Sequence, residues 1–156
     1  MKTIVFRADH KKLLPGIYVP EKILLGGNFA LTKFDLLLKR PNVDDPISSA
    51  ALHTLEHLGK LYLKTLSPRK DEIIHFGPTG SRTRFCLIMK GDLKSQDVYE
   101  MVVKMCDFII MHSGEIPGAN EHECSNCLDH DLTEAKLCAI GYSDWLRNDL
   151  HQEYQT

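Results

Sequence analysis

Ser48-Ser49-Ala50-Ala51-Leu52-His53-Thr54-Leu55-Glu56-His57-Leu58-Gly59-Lys60-Leu61 is the stretch from which the rest of the chain can be read. Leu52, Leu55, Leu58, Leu61 and Leu63 recur mainly at helical spacing, which predicts a helix from about Ser48 to Thr65. Ser48 or Ser49 can cap its start, because a hydroxyl oxygen there accepts from an unpaired first-turn amide. Pro68 closes it. His53 and His57 stand four apart, so their rings share one face and can bind one metal ion with little strain. Glu56 reaches the same face and can act as acid or base on a metal-bound water or ligand. The order H-x-x-E-H is that of inverted zinc hydrolases. Taken alone, it also fits a surface helix whose histidines and glutamate face water.

Outward from this helix the pattern changes period. Residues 17–25 and 31–38 read as strands joined through Gly26-Gly27-Asn28, an antiparallel hairpin. Residues 71–77 and 82–90 read as a second pair around Gly77-Pro78-Thr79-Gly80. Val98, Met101, Val102, Met105 and Ile109 predict a helix from Ser95 to about His112. Asp131 with Glu134 resembles a capping box, which starts a last helix running to about Leu146. Hairpins and helices in blocks favour an α+β fold, an antiparallel sheet packed against helices, over a doubly wound one.

The 156 residues fit one domain, taken here as residues 1–156. A formal net charge of −2 and the absence of a basic stripe give no footprint for nucleic acid. The first ten residues lack a long apolar run, and no stretch has the length a membrane span needs, so a soluble cytoplasmic protein is expected. Five cysteines, an odd number, argue against a disulfide framework. Cys124 lies in Asn120-Glu121-His122-Glu123-Cys124-Ser125-Asn126-Cys127, before the last helix, and is the best third metal ligand. Two imidazoles and a thiolate leave a position open for water or substrate. If Cys127 also binds, the site becomes closed and structural; otherwise Cys127 is a small buried residue.

These stretches together resemble the S-ribosylhomocysteinase (LuxS) family. The matching residues are Asp9-His10, Phe34-Asp35-Leu36, Pro41-Asn42, His53-Thr54-Leu55-Glu56-His57-Leu58, Gly80 with Arg82-Thr83, Ile116-Pro117, Asn120-Glu121, Cys124, His130, Leu132 and Glu134-Ala135-Lys136. The resemblance implies a homodimer with the active site near its interface. It implies one divalent ion per chain, Fe2+ or Zn2+, held by His53, His57 and Cys124. It also implies a small thioether-sugar substrate, S-ribosylhomocysteine. In that chemistry the metal polarises sugar oxygens, a glutamate (Glu56) and a cysteine move protons, and homocysteine leaves by elimination. The other product leads to a quorum-sensing autoinducer. His10 is carried over as a substrate contact, and Arg82 is expected to line the same cleft. His130 reads as orienting the loop or capping the last helix, and His122 as solvated.

The chain departs from the family pattern at four positions. Ser81 stands where the proton-shuttling cysteine is expected, and a hydroxyl does not titrate near neutrality. Cys86, five residues on, should point to the other side of its strand and pack in the core. Leu37 replaces an arginine and His75 an aspartate, both of which help hold the substrate; His75 could carry protons instead. Arg84 adds a bulky cation where glycine is common. A single Cys-to-Ser change does not account for Leu37 and His75, so the expectation is a natural divergent member. The main reading is a lyase-type enzyme with Ser81 in the cysteine's place and Glu56 and Ser81 as catalytic residues. The alternative is a catalytically impaired, metal-containing ligand-binding protein. A small zinc peptidase is disfavoured by the short chain and by Cys124.

Overall fold

A computed structural model describes residues 13–122 and 126–148. Its strands are β1 (Gly16–Gly26), β2 (Phe29–Leu37), β3 (Ile73–Pro78) and β4 (Arg84–Lys90); its helices are α1 (Ser49–Leu61), α2 (Ser95–Met111) and α3 (Leu132–Asn148). The strands form one antiparallel sheet in the order β1-β2-β4-β3. The α+β architecture expected from the sequence is the one observed, because the period-2 segments pair with one another and leave the helices to cover one face.

Alternation along the strands decides which face that is. Ile17, Phe34, Leu36, Phe76, Phe85, Leu87 and Met89 join one buried cluster with Leu55 and Leu58 of α1, Val98, Val102 and Ile109 of α2, and Ala135, Ala139 and Tyr142 of α3. The opposite face carries Lys33, Asp35, Leu37, Arg84, Cys86 and His75. The register across the central pair sets Asp35 against Cys86 and Leu37 against Arg84. Cys86 is therefore not in the core, as expected from its sequence, but half-buried on the other side of the sheet. Burial pushes its thiol above the ordinary value, so it is a poor source of thiolate.

The hairpin turn needs Gly26 and Gly27, whose φ values are +93° and +61°. Helix α1 begins at the Ser48 cap, whose hydroxyl accepts from Ala51 N at 3.2 Å. It ends in a π-helical turn, Tyr62–Leu66, rather than continuing as α-helix to Thr65. Its distance from the sheet is set at Gly59. A Cβ there would lie 2.4 Å from Phe76, whose ring is stacked on Phe85 at 4.9 Å and cannot swing aside. The absence of a side chain lets the middle of α1 approach β3.

Only half of the expected capping box forms at α3. Asp131 Oδ1 accepts from Glu134 N at 2.9 Å. The Glu134 carboxylate turns instead to the start of α1, where it accepts from Ser48 N at 3.1 Å and from the Ser48 hydroxyl. Tyr142 OH donates to Gly16 O at 2.8 Å and fixes the middle of α3 against β1.

Candidate metal centre

Helix α1 presents His53 and His57 one turn apart, with their Nε2 atoms 3.0 Å from each other and the rings edge to face at 79°. Each ring is held from behind by a backbone carbonyl. His53 Nδ1 lies 2.8 Å from Asp129 O, and His57 Nδ1 lies 3.0 Å from Pro117 O. A carbonyl oxygen only accepts, so both Nδ1 atoms carry the proton, and in the neutral rings each Nε2 presents a lone pair. Two lone pairs facing each other at that distance repel; a cation between them converts the repulsion into binding.

His130, just ahead of α3, completes the group. The Thr54 hydroxyl donates to Ala50 O at 3.1 Å and accepts from Asp131 N at 2.9 Å. Its single proton is thus used, and the remaining lone pair accepts from His130 Nδ1 at 3.0 Å. His130 is therefore the same tautomer as the other two. Its Nε2 is shielded from solvent and meets no hydrogen-bond partner among the described residues. A buried ring nitrogen of this kind is the orphan that a metal ion satisfies. One ligand atom from each of His53, His57 and His130 lies within 4.8 Å of the others. The His130 ring stacks on His53 at 4.1 Å and meets His57 edge-on at 4.9 Å. Burial, and then the neighbouring His53 and His57, hold its pKa below the ordinary histidine value, which keeps it in the neutral, ligating form. Three neutral imidazoles are a recognised donor set for a divalent ion, and the residues present fit one.

The remaining expected site residues are distributed as follows. Glu56 Oε1 accepts from Lys60 Nζ, one turn along α1, at 2.6 Å. A Cβ on Gly77 would lie 3.2 Å from His75 Nε2 and 3.8 Å from Glu56 Oε1, so Glu56 and His75 gather around that glycine. Ser81 and Arg82 are exposed on the loop between β3 and β4. Ser81 Oγ lies 3.1 Å from Thr79 Oγ1 and 2.9 Å from Thr83 Oγ1. Arg82 adopts a left-handed φ of +57°. Cys124 and His10 lie outside the described residues. His122 is exposed, as expected.

The centre corrects one expectation. Ser81 was to mark a lyase-type enzyme in which it stands in for the family cysteine. The ligand group found among the described residues is His53, His57 and His130, and Ser81 contributes nothing to it. A hydroxyl engaged with two other hydroxyls on an exposed loop also has no means of titrating near neutrality. The enzyme assignment built on Ser81 is withdrawn. His130 was read from the sequence as a loop or cap residue and not as a donor. The signal that could have found it is its position beside Asp131, which fixes it at the helix start, together with Thr54 on the face of α1 that carries His53 and His57.

Residues 4–153 match the family model described as S-Ribosylhomocysteinase (LuxS). A Finegoldia magna protein named S-ribosylhomocysteine lyase is 41% identical over 143 residues, which is 92% of this chain and 90% of that one. A Phocaeicola vulgatus protein of the same name is 44% identical over 143 residues, 91% of this chain and 88% of that one. One from Borreliella burgdorferi is 40% identical over 149 residues, 95% and 94% of the two chains. Among the described residues no helix is long and apolar enough to cross a membrane.

Proposed function

Because the chain belongs to the S-ribosylhomocysteinase (LuxS) family as a divergent member, we propose that it acts as a metal-containing protein that binds a small ligand and turns it over poorly or not at all. The observation that carries this reading is the inward set of three Nε2 atoms, each held by an anchored Nδ1 on the far side of its ring.

His53, His57 and His130 hold one divalent ion per chain, Fe2+ or Zn2+, both of which suit imidazole. Cys124 is a further donor. The segment that contains it is fastened to α1 at both ends, by Pro117 O on His57 and by Asp129 O and His130 on His53 and Thr54. Three imidazoles and a thiolate make a closed tetrahedral shell, the structural rather than the catalytic pattern. When bound, the ion supplies Lewis acidity, which a closed shell keeps from a ligand oxygen. Ser81, a hydroxyl, lacks the pKa of a proton shuttle, and Glu56 is engaged in an ion pair with Lys60. These features favour binding over turnover.

The ligand is a small thioether sugar of the kind named for the relatives, S-ribosylhomocysteine, contacted by His10, His75 and Arg82. The protein works as a cytoplasmic homodimer with no nucleic-acid or membrane partner. Elemental analysis, calorimetric titration with S-ribosylhomocysteine and an anaerobic thiol-release assay on iron- and zinc-loaded protein test this reading. The expected result is one ion per chain and saturable binding with little or no free thiol. Thiol release through many turnovers refutes impaired catalysis; absence of a bound ion refutes the centre.

A further inference from the structure

A second polar feature lies on the sheet face that the helices leave uncovered. The turn after β2 and the loop before β4 enclose a cleft of about 340 Å³, lined by Asn42, Asp44, Ser81, Thr83 and Arg84 between two prolines, Pro41 and Pro46. That volume suits a small molecule. Both walls are built from unusual backbone. Asn42 and Arg82 are the non-glycine residues with positive φ, +62° and +57°, among the described residues. Asn tolerates that conformation, so the strain lies at Arg82, and it persists because the surroundings over-determine it. Here Ile47 N donates to Arg82 O at 2.9 Å, and Leu38 N and Lys39 N both donate to Thr83 O, at 2.9 and 3.2 Å. The two walls are thus tied together.

The charges of the cleft are few and fixed by pairing. Among the residues that line it, Arg84 is the cation and Asp44 the acid. The Asp44 carboxylate is already occupied by Arg40, through its backbone N at 2.7 Å and its Nη2 at 2.9 Å. Arg84 is mostly shielded, with a side chain 13% exposed. Its Nη1 donates to Asp35 at 3.2 Å, which fixes the direction of the guanidinium. Directly across the strand pair stands Leu37, 1% exposed, an apolar wall that raises the strength of any charge interaction beside it. A rigid guanidinium fork beside serine and threonine hydroxyls matches the planar oxygens of a carboxylate.

We propose that this cleft receives the carboxylate end of the bound ligand and that Arg84 sets the preference for it. The inference rests on the reading that the chain binds a small ligand. The test is calorimetric titration of the full, metal-loaded chain with S-ribosylhomocysteine and with its carboxyl methyl ester. The native protein should bind the acid about 10–100-fold more tightly than the ester, the range of a hydrogen bond to a charged group. Arg84→Lys, which keeps charge but loses the fork, should lose most of that ratio. Removing Arg84 alone takes the guanidinium from the Asp35 carboxylate, so the second variant is Asp35→Asn with Arg84→Met, in which acid and ester should bind alike. Equal binding of acid and ester by the native protein, or an unchanged ratio in the double variant, overturns the role of Arg84 and leaves the ligand-binding reading intact. If neither compound binds, the ligand-binding reading falls and this inference falls with it.

Discussion

The metal centre and the Arg84 cleft are built by opposite means. In the centre, regular structure delivers the groups. His53 and His57 are one turn apart on α1, and backbone carbonyls and a threonine hydroxyl fix their orientation and that of His130. In the cleft, irregular backbone delivers the groups. Two non-glycine residues in left-handed conformation hold the walls, and an ion pair on the sheet aims the cation. Rigidity in the first region comes from hydrogen bonds to backbone, and in the second from backbone ties between the two loops and an ion pair across the strands.

The largest expected effect breaks the first region and spares the second. His53→Ala or His57→Ala should abolish stoichiometric metal binding, read by elemental analysis, because each removes one of the two facing Nε2 atoms. Ser81→Ala should leave metal content unchanged. If Ser81→Ala releases the ion, the two regions are not separable as described.

Next is the shared support beneath the centre. Gly59→Ala should cost about 1–3 kcal/mol in denaturant unfolding, since the new methyl meets a Phe76 ring that cannot move. A neutral result would show that α1 can lift from β3. Thr54→Val sharpens the orientation argument. It should weaken metal affinity about 10–100-fold by freeing the His130 ring, the usual effect of losing an outer-shell partner. Competition with a chelator measures it, and unchanged affinity would remove Thr54 from that role.

The smaller effects belong to the cleft. Arg82→Gly should raise stability by about 0.5–1 kcal/mol, because a left-handed residue without a side chain is not strained. Thermal unfolding reads this, and a loss would mean that Arg82 is held by more than its backbone. The smallest effect concerns pH. The Arg40 guanidinium hydrogen-bonded to Asp44 holds that carboxyl below its ordinary value. A group whose folded pKa is depressed stabilises above its unfolded pKa and loses that contribution as pH falls through the folded one. Asp44→Asn should therefore lose slightly more stability at neutral pH than at strongly acidic pH. An equal loss at both would show that the pair contributes no net stability.

How much of this was legible in the sequence follows from what is local and what is not. The helical repeat of leucines and the spacing of His53 and His57 are properties of a single segment, and they placed α1 and half of the centre. The hairpin glycines did the same for β1 and β2. Two things needed the folded chain. His130 joins the centre only because the segment ahead of α3 returns to Thr54, 76 residues earlier in sequence. Leu37 and Arg84 read as two separate departures, yet β4 pairs with β2 across an intervening helix and strand, and the register sets them face to face. Periodicity also failed for Cys86. It gave the alternation correctly but not which side of the sheet the helices cover.

The turn of Glu134 toward Ser48 has a consequence for assembly. The residue that should have closed the first turn of α3 caps α1 instead, while the chain just ahead of it carries His130 and the carbonyl that orients His53. The start of α3, whose first turn Asp131 still caps, is therefore tied to the helix that carries His53 and His57. Whatever tightens the three histidines also holds α3 in place, so that an ion bound there should make the far end of the described chain harder to loosen, and its removal should be felt there before the middle.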